Sequence, residues 1–390
     1  MNYNFDKQTN RWQTNCVKWD TMPNKEVIPM WVADMDFQVA EPIRKALQQR
    51  VEQGIFGYTK VPEAYYESII KWFSRRHNWT INREWIIYTT GVVPAISAII
   101  KALTKPGDKV VVQTPVYNCF FSSIKNNGCE LLEAPLKLIE DKDIKYECDF
   151  EELEKACSDS KAKLFILCNP HNPAGKVWSK NDLERMNDIC RKHGVIVVSD
   201  EIHCELVMPG QKYTPFASIS DSCRDNAVVC CSPSKSFNTA GLQIANIISN
   251  NEEIRNKIDR AINDNEICDV NPFGVEALMA AYNESGEWIE QLCEYLYGNL
   301  KALKEFFRKE MPLLKTTNIE GTYLVWVDIR PTGMTSDALT ERLLTNAQVM
   351  VNSGTMYGQT AGEGFIRLNI ACPRSQMMEG LKRIRKELYG

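Results

Sequence analysis

Polar side chains follow three short apolar runs of the chain, and each run has the length and composition of a buried strand. The runs occupy residues 164–168, 195–198 and 227–230. Asn172 follows the first run, Asp200 the second, and Lys235 the third, in a loop with nearby serines. Because ligands of open α/β sheets bind at the carboxyl edge of the strands, these side chains are expected to meet at one site.

An amine, a carboxylate, an amide and hydroxyls at one site suit pyridoxal 5'-phosphate (PLP). Lys235 can condense with the cofactor aldehyde, and Asp200 can hold the pyridine nitrogen protonated so that the ring accepts electrons. Asn172 can hydrogen-bond the ring phenolate, while Ser232 and Ser234 can hold the phosphate. Each residue alone also suits a solvated loop lysine, a helix cap or a turn. Their shared position after successive strands favours the PLP site.

A strand, a glycine and a helix in succession form a candidate phosphate site. Residues 86–90 are predicted as a strand and residues 92–103 as a helix, with Gly91 between them. Free N–H groups at a helix N-terminus favour anions, so Gly91, Val92 and Val93 are candidate phosphate-binding residues. The alternative is an ordinary helix start without a ligand.

These motifs resemble, in order and spacing, those of the fold-type I PLP enzymes, the aspartate aminotransferase superfamily. The resemblance runs over nearly the whole chain. It is most specific at residues 31–37, which are similar to the MalY/PatB group of carbon–sulfur β-lyases. The matching segments are 31–37, 56–59, 90–95, 115–117, 172–175, 199–203, 232–242 and 320–324. PLP is therefore the expected cofactor.

The alternation of apolar strands with amphipathic helices predicts an α/β fold with helices on both faces of a mostly parallel sheet. Helices are predicted at 63–77, 92–103 and 180–192, and a further helical stretch extends from Gly274 to Lys309. The resemblance implies a seven-stranded sheet in a large PLP-binding domain, residues 50–285. It also implies a smaller α+β domain built from both termini, residues 1–49 and 286–390.

The positions of three other residues gain a meaning from the resemblance. Tyr117 follows a strand and a proline, where an ordinary loop tyrosine is possible. Its position in the family favours stacking on the cofactor ring. The resemblance therefore places Tyr117 among the catalytic residues, with Lys235 and Asp200. Arg367 lies in an apolar strand and needs an anion, either a substrate α-carboxylate or a structural partner. Tyr58 is implied to reach the cofactor phosphate and the substrate side of the neighbouring subunit's site. A homodimer with shared active sites is therefore expected.

Two departures from the usual aminotransferase pattern favour the lyase group. His203 stands where many aminotransferases carry a tyrosine that bonds the ring phenolate, and a satisfied core histidine is the alternative. Gln243 stands where many carry a phosphate-binding arginine. The phosphate is then expected to rest on hydroxyls, backbone amides and Tyr58.

Composition excludes several classes of protein. The 390 residues carry a net charge of −4, which offers no basic face for nucleic acid. The 14 cysteines include no CxxC pair, so a zinc site is not expected, and so many unpaired thiols suit a reducing cytoplasm. No apolar run approaches the length of a membrane span, and the first residues lack the apolar core of a signal peptide.

The leading hypothesis is a PLP-dependent β-lyase that cleaves cystathionine or another cysteine thioether to a thiol, pyruvate and ammonia. Lys235 would take the α-proton as general base. An aminotransferase is the first alternative, because Lys235, Asp200, Asn172 and Arg367 serve both reactions. A PLP-fold protein with a regulatory or partner-binding role is the second, although an intact Lys235 and Arg367 argue against lost chemistry.

Overall fold

The structure is a computed structural model that describes residues 3–266 and 268–390. Its helices alternate with strands along the chain. The helices are α1 (Val17–Asp20), α2 (Glu41–Gln53), α3 (Glu63–His77), α4 (Val92–Leu103), α5 (Cys119–Asn126), α6 (Phe150–Cys157), α7 (Lys180–Lys192), α8 (Asp221–Asp225), α9 (Pro233–Ser236), α10 (Glu252–Asn263), α11 (Pro272–Glu284), α12 (Gly286–Glu310), α13 (Ser336–Thr345) and α14 (Arg374–Tyr389).

The strands are short, and most of them are buried. They are β1 (Ile28–Pro29), β2 (Ile86–Thr89), β3 (Lys109–Val112), β4 (Glu130–Glu133), β5 (Lys137–Glu140), β6 (Ile144–Glu147), β7 (Ala162–Cys168), β8 (Ile196–Asp200), β9 (Ala227–Cys231), β10 (Ala245–Ile248), β11 (Lys315–Thr316), β12 (Leu324–Asp328), β13 (Val349–Met350), β14 (Asn352–Ser353) and β15 (Phe365–Asn369). No helix of the described residues has both the length and the apolar character needed to cross a membrane.

The largest sheet has seven strands in the order β2-β10-β9-β8-β7-β3-β4. Neighbours from β9 to β4 pair in parallel, and β10 pairs antiparallel with both β2 and β9. This confirms the expected α/β fold and mostly parallel sheet. The strand β10 itself was not predicted.

Alternate residues of the central strands pack into two separate apolar cores, as the two-residue period of a strand requires. Leu164 and Ile166 of β7 lie in the core that includes the apolar faces of α4, α5 and α10. Phe165 and Leu167 lie in the other core, which includes α3, α7 and α11. Both faces of the sheet are therefore covered by helices, and the near-continuous apolar runs of the sequence follow from that burial.

Local signals fix several helix ends where the sequence predicts them. Ser179 and Asp182 form a reciprocal capping box that begins α7, and Asn78 in the left-handed conformation ends α3. The stretch from Gly274 to Lys309 is helical, as predicted, but it forms two helices and not one. The chain breaks at Ser285 into α11 and α12, and the Ser285 hydroxyl donates to the carbonyl of Ala280 at the junction.

A second sheet and a short strand pair join the two ends of the chain. The order of the second sheet is β11-β12-β15-β14. The strand β1 pairs in parallel with β13, and the N–H of Asp36 donates to the carbonyl of Ala371. The N-terminal segment thus packs with the C-terminal part of the chain. The domain boundaries at 49/50 and 285/286 stay a prediction, and the first falls inside α2.

Candidate active site

A cavity of about 180 Å³ lies at the carboxyl ends of the central parallel strands. Register brings these ends together, since Cys168 of β7 pairs with Asp200 of β8, and Asp200 with Cys230 of β9. The cavity is lined by Ala33, Gly91, Val92, Val93, Pro94, Tyr117, Cys168, Asn172, Asp200, Ile202, His203, Ser234, Lys235 and Ala240. Most of the predicted site residues therefore meet in one place.

Asp200 is a buried carboxylate with few partners. Its side chain is 4% exposed, and among the described residues it accepts a hydrogen bond from the N–H of Ile202, 3.1 Å away. Burial raises the pKa of Asp200 to about 7, against that single N–H and the nearby Lys235, which lower it. A protonated pyridine nitrogen in the cavity would supply the missing partner, so this residue fits the role predicted for it.

Lys235 reaches the same cavity from α9, the short helix that follows β9. Its amine donates to the carbonyl of Ala33 at 2.7 Å. Burial lowers the pKa of Lys235, and Arg367 lowers it further, whereas Asp34 and Asp200 raise it. A lowered pKa increases the share of neutral amine, the form that attacks an aldehyde or takes a proton.

Arg367 of β15 is 2% exposed, yet it forms no salt bridge with any carboxylate of the described residues. Its guanidinium donates to the Asn172 amide oxygen at 3.1 Å and to the Trp31 carbonyl at 2.9 Å. It lies 4.8 Å from the centre of the Tyr357 ring, and its buried Nε has no hydrogen-bond partner. The structural ion pair considered from the sequence is not observed, and the remaining donor suits a carboxylate ligand.

His203 and Asn172 place polar atoms on the cavity wall. Burial, together with the positive charges of Lys235 and Arg367, lowers the pKa of His203 to about 3, so the ring is neutral near pH 7. Its buried Nδ1 has no hydrogen-bond partner among the residues that the structure describes. The histidine is therefore not the fully satisfied core residue that the sequence left open, and it can exchange a hydrogen bond with a ligand oxygen.

The N-terminus of α4 forms the anion-binding end of the cavity. No side chain caps this helix, whose N-cap is Gly91, so the N–H groups of Val92 and Val93 remain available, while Pro94 has none. Ser234 lies beside them in the lining. Ser232 does not line the cavity. Its hydroxyl caps α9 by accepting from the Ser234 N–H and lies 2.6 Å from the Ile244 carbonyl.

The side walls of the cavity include Tyr117 and Ile202. The Tyr117 ring packs edge-on against Phe120, with centroids 5.7 Å apart, and burial raises the pKa of Tyr117, so the phenol stays neutral. A planar aromatic ligand in this cavity would contact both side chains. An amine, a buried carboxylate, an anion-binding helix end and an aromatic wall together fit PLP.

Comparison with known proteins agrees with this geometry. The family described as aminotransferase class I and II matches residues 25–384. The chain belongs to this family. It is 42% identical to the cystathionine beta-lyase PatB of Bacillus subtilis, over 99% of this chain and 100% of the relative. It is 32% identical to Protein MalY of Escherichia coli, over 97% of each chain. The PLP-bound C-S lyase structure from Staphylococcus hominis superimposes with a TM-score of 0.92 at 33% identity, over 100% of this chain and 99% of that one.

Tyr58, like Ser232 and Arg367, is absent from the lining of the cavity of its own chain. It is 97% exposed, in the loop between α2 and α3. Among the described residues of one chain, the Tyr58 side chain has no partner in the site. Its role at a neighbouring subunit stays a prediction.

Sequence reasoning missed the apolar part of the lining. Ala33, Pro94, Cys168, Ile202 and Ala240 contact the cavity, but their side chains carry no chemical signal in the sequence. Position alone could have indicated two of them. Ile202 follows Asp200 by two residues, and Cys168 ends the strand next to it and accepts the Asn172 N–H at 3.3 Å.

Proposed function

We propose that the chain is a PLP-dependent carbon–sulfur β-lyase that cleaves cystathionine or a related cysteine thioether to a thiol, pyruvate and ammonia. The observation that carries the proposal is a buried Asp200, with one donor among the described residues, in the same cavity as the Lys235 amine. The names of the relatives, cystathionine beta-lyase and C-S lyase, support the reaction class.

The residues of the site divide the chemistry between them. Bound PLP supplies an electron-withdrawing ring that accepts the electron pair released at the substrate α-carbon. Asp200 keeps the ring nitrogen protonated, and Asn172 and His203 can hydrogen-bond the ring oxygen. Arg367 binds the substrate carboxylate and orients the α-hydrogen toward the Lys235 amine, which removes it as general base. The thiolate then leaves from the β-carbon, and water completes the release of pyruvate and ammonia.

Transamination is the second candidate, because it begins with the same proton removal and uses the same residues. His203 and Gln243 favour the lyase, since both depart from the usual aminotransferase pattern. Gln243 adopts a left-handed conformation after a short 3-10 turn, where the chain leaves the site.

The deciding experiment incubates the holoenzyme with cystathionine and measures pyruvate and free thiol, with and without an added 2-oxo acid. A lyase forms both products at equal rates without the acceptor. The matched control is the Lys235→Ala variant, which should form neither. Conversion of the 2-oxo acid to its amino acid without release of thiol would instead establish transamination.

We also propose that the protein is a homodimer whose sites are completed by Tyr58 of the neighbouring copy. The loop between α2 and α3 exposes Ile55, Phe56 and Tyr58 together, an apolar surface that a second copy would cover. Tyr58→Phe and Lys235→Ala variants should therefore regain activity when mixed under subunit exchange, because one site of each mixed dimer carries neither change. No recovery after demonstrated exchange would remove Tyr58 from the partner's site.

Two further expectations concern the cellular location of the protein and its domains. Every cysteine is a free thiol, and most are buried, which supports a reducing cytoplasm as the location. We propose residues 50–285 as the large domain and residues 1–49 with 286–390 as the small one.

A further inference from the structure

The residue after Asp200 is a second buried carboxylate with a much fuller set of partners. Glu201 is 0% exposed. One carboxylate oxygen accepts from the Ser199 hydroxyl at 2.7 Å and from the Phe216 N–H at 2.9 Å, and the other accepts from the Tyr213 hydroxyl. Unlike Asp200, Glu201 has no place in the cavity lining, so its partners are internal to the protein.

These partners close a loop that forms part of the cavity wall. The chain leaves the sheet after Asp200, and residues 201–216 return to Glu201 through Tyr213 and Phe216. Ile202 and His203, at the start of this loop, line the cavity. The Glu201 carboxylate therefore fixes both ends of the loop that carries Ile202 and His203.

Glu201 lies where backbone hydrogen bonds join the ends of β7, β8 and β9. The Asn169 N–H, just after β7, donates to the Asp200 carbonyl at 2.9 Å. The Glu201 N–H donates to the Cys230 carbonyl of β9, also at 2.9 Å. The backbone on either side of the Asp200 side chain is thus fixed, and the Glu201 carboxylate adds the anchor to Ser199.

The far side of the loop is packed against a helix. The Tyr213 ring meets the His77 ring of α3 edge-on, with centroids 4.9 Å apart. His77 Nε2 lies 2.6 Å from a carboxylate oxygen of Glu205, which also accepts from Arg76. This packing covers the Tyr213 ring, whereas the Tyr213 hydroxyl is held by Glu201 itself.

We infer that Glu201 is a positioning residue of the lyase reaction, which fixes Asp200, Ile202 and His203 at the cofactor ring without touching it. The inference rests on the proposed function, because it takes PLP as the occupant of the cavity. Loss of this anchor leaves the fold and the Arg367 carboxylate site in place but loosens three walls of the ring pocket.

Glu205 offers a matched control four residues along the chain. It is also a buried glutamate, and it accepts from the Trp72 indole and from Arg76, with His77 beside it. Neither Glu205 nor these partners line the cavity. A change at Glu205 therefore tests general destabilisation without loosening the pocket.

The experiment compares the holoenzymes of wild type, Glu201→Gln, Glu205→Gln and Tyr213→Phe. It measures the rate of PLP release from its visible absorbance, the thermal midpoint, and kcat and KM for cystathionine. Glu201→Gln should release PLP about tenfold faster or more and lose about tenfold in kcat, because a small displacement of reacting groups has large effects. Its KM should stay within about twofold, since Arg367 is unchanged. Tyr213→Phe should change in the same direction by less.

Glu205→Gln should lower the thermal midpoint while it releases PLP at the wild-type rate. Release from Glu201→Gln at the wild-type rate would overturn the inference. Equally fast release from Glu205→Gln would also overturn it, because general destabilisation would then explain the effect. If Glu201→Gln does not fold, wild-type release from Tyr213→Phe has the same meaning. A wild-type protein that binds no PLP would refute the proposed function itself, which is a distinguishable result.

Discussion

Two buried aspartates of this molecule lie in opposite situations. Asp36, in the N-terminal segment, is 3% exposed and receives donors from four side chains: Arg11, Lys18, Trp19 and Gln376. Asp200, in the cavity, is about as buried but receives one backbone N–H from the described residues. Burial alone does not distinguish a structural carboxylate from a chemical one, whereas an incomplete set of donors does.

The two pKa values move in opposite directions for this reason. Burial raises the pKa of Asp36, but Lys18, Trp19 and Arg11 outweigh it, so the pKa falls below the ordinary value. Burial raises the pKa of Asp200 to about 7, because no comparable group opposes it. We expect changes at the first aspartate to alter stability and changes in the cavity to alter activity.

The largest effect is expected at Lys235. Lys235→Ala should lower the rate on the order of a thousandfold, because it removes both the general base and the covalent attachment of the cofactor. Borohydride reduction of the wild type followed by peptide mapping should place the pyridoxyl group on Lys235. Lys180→Ala, an exposed lysine of α7, is the control with normal activity. A pyridoxyl group on another lysine would refute the site.

Asp200→Asn keeps the shape of the side chain and removes its charge. We expect a loss of roughly 3 kcal/mol of transition-state stabilisation, about a hundredfold in rate, with the fold retained. Pyruvate formation measures the rate, and circular dichroism verifies the fold. A near-normal rate would make Asp200 a structural residue and end the contrast with Asp36.

Asp36→Asn should show the reverse pattern. The variant leaves the buried Lys18 and the partly buried Arg11 without full compensation, so the free energy of unfolding should fall by about 2 to 3 kcal/mol. Urea unfolding measures this value, with Glu379→Gln, half of an exposed ion pair, as a control that changes little. Unaltered stability would mean that the four donors do not stabilise the fold.

A last expected effect is the pH dependence of stability in the protein without cofactor. The pKa of Asp200 is about 7 in the folded chain against an ordinary 3.8, so the folded chain binds the extra proton between these values. Stability therefore falls as pH rises from about 4 to about 7, by at most about 1.4 kcal/mol per pH unit.

The Asp200→Asn variant isolates this contribution. The pKa of Glu201 is also raised to about 7 by burial, and its effect remains in both proteins. Urea unfolding at several pH values should show that the free energy of unfolding of the variant increases relative to that of the wild type as pH rises. Parallel curves would indicate that the Asp200 carboxyl has other partners in the absence of PLP.

Elements with strong local signals were predicted from the sequence with their true ends. Examples are α3 after Pro62, and α4 after Gly91. The strand β10 was missed because four residues that include Asn246 are too few to show a pattern, and its antiparallel pairing depends on distant β2 and β9. The break at Ser285 was missed because apolar spacing continues across it.

The polar half of the site could be predicted because chemistry restricts its residue types. The role of Ser232 as a helix cap could not be predicted, because the acceptor for its hydroxyl, the Ile244 carbonyl, lies twelve residues further along the chain. Nor could the Arg367 contact with Asn172, which joins residues 195 positions apart. Such contacts depend on tertiary packing, which spacing does not encode.

The joining of the two chain ends has a consequence during synthesis on the ribosome. The strand β1 at Ile28 needs Val349 as its partner, and Asp36 needs Ala371. At a synthesis rate of roughly 5 to 20 residues per second, the N-terminal segment waits for tens of seconds before these partners exist. The seven-stranded sheet, complete once β10 has emerged, can form during that interval. The Ala33 carbonyl therefore reaches the Lys235 amine late, and the nascent chain gains its finished cavity only after Ala371 has been added.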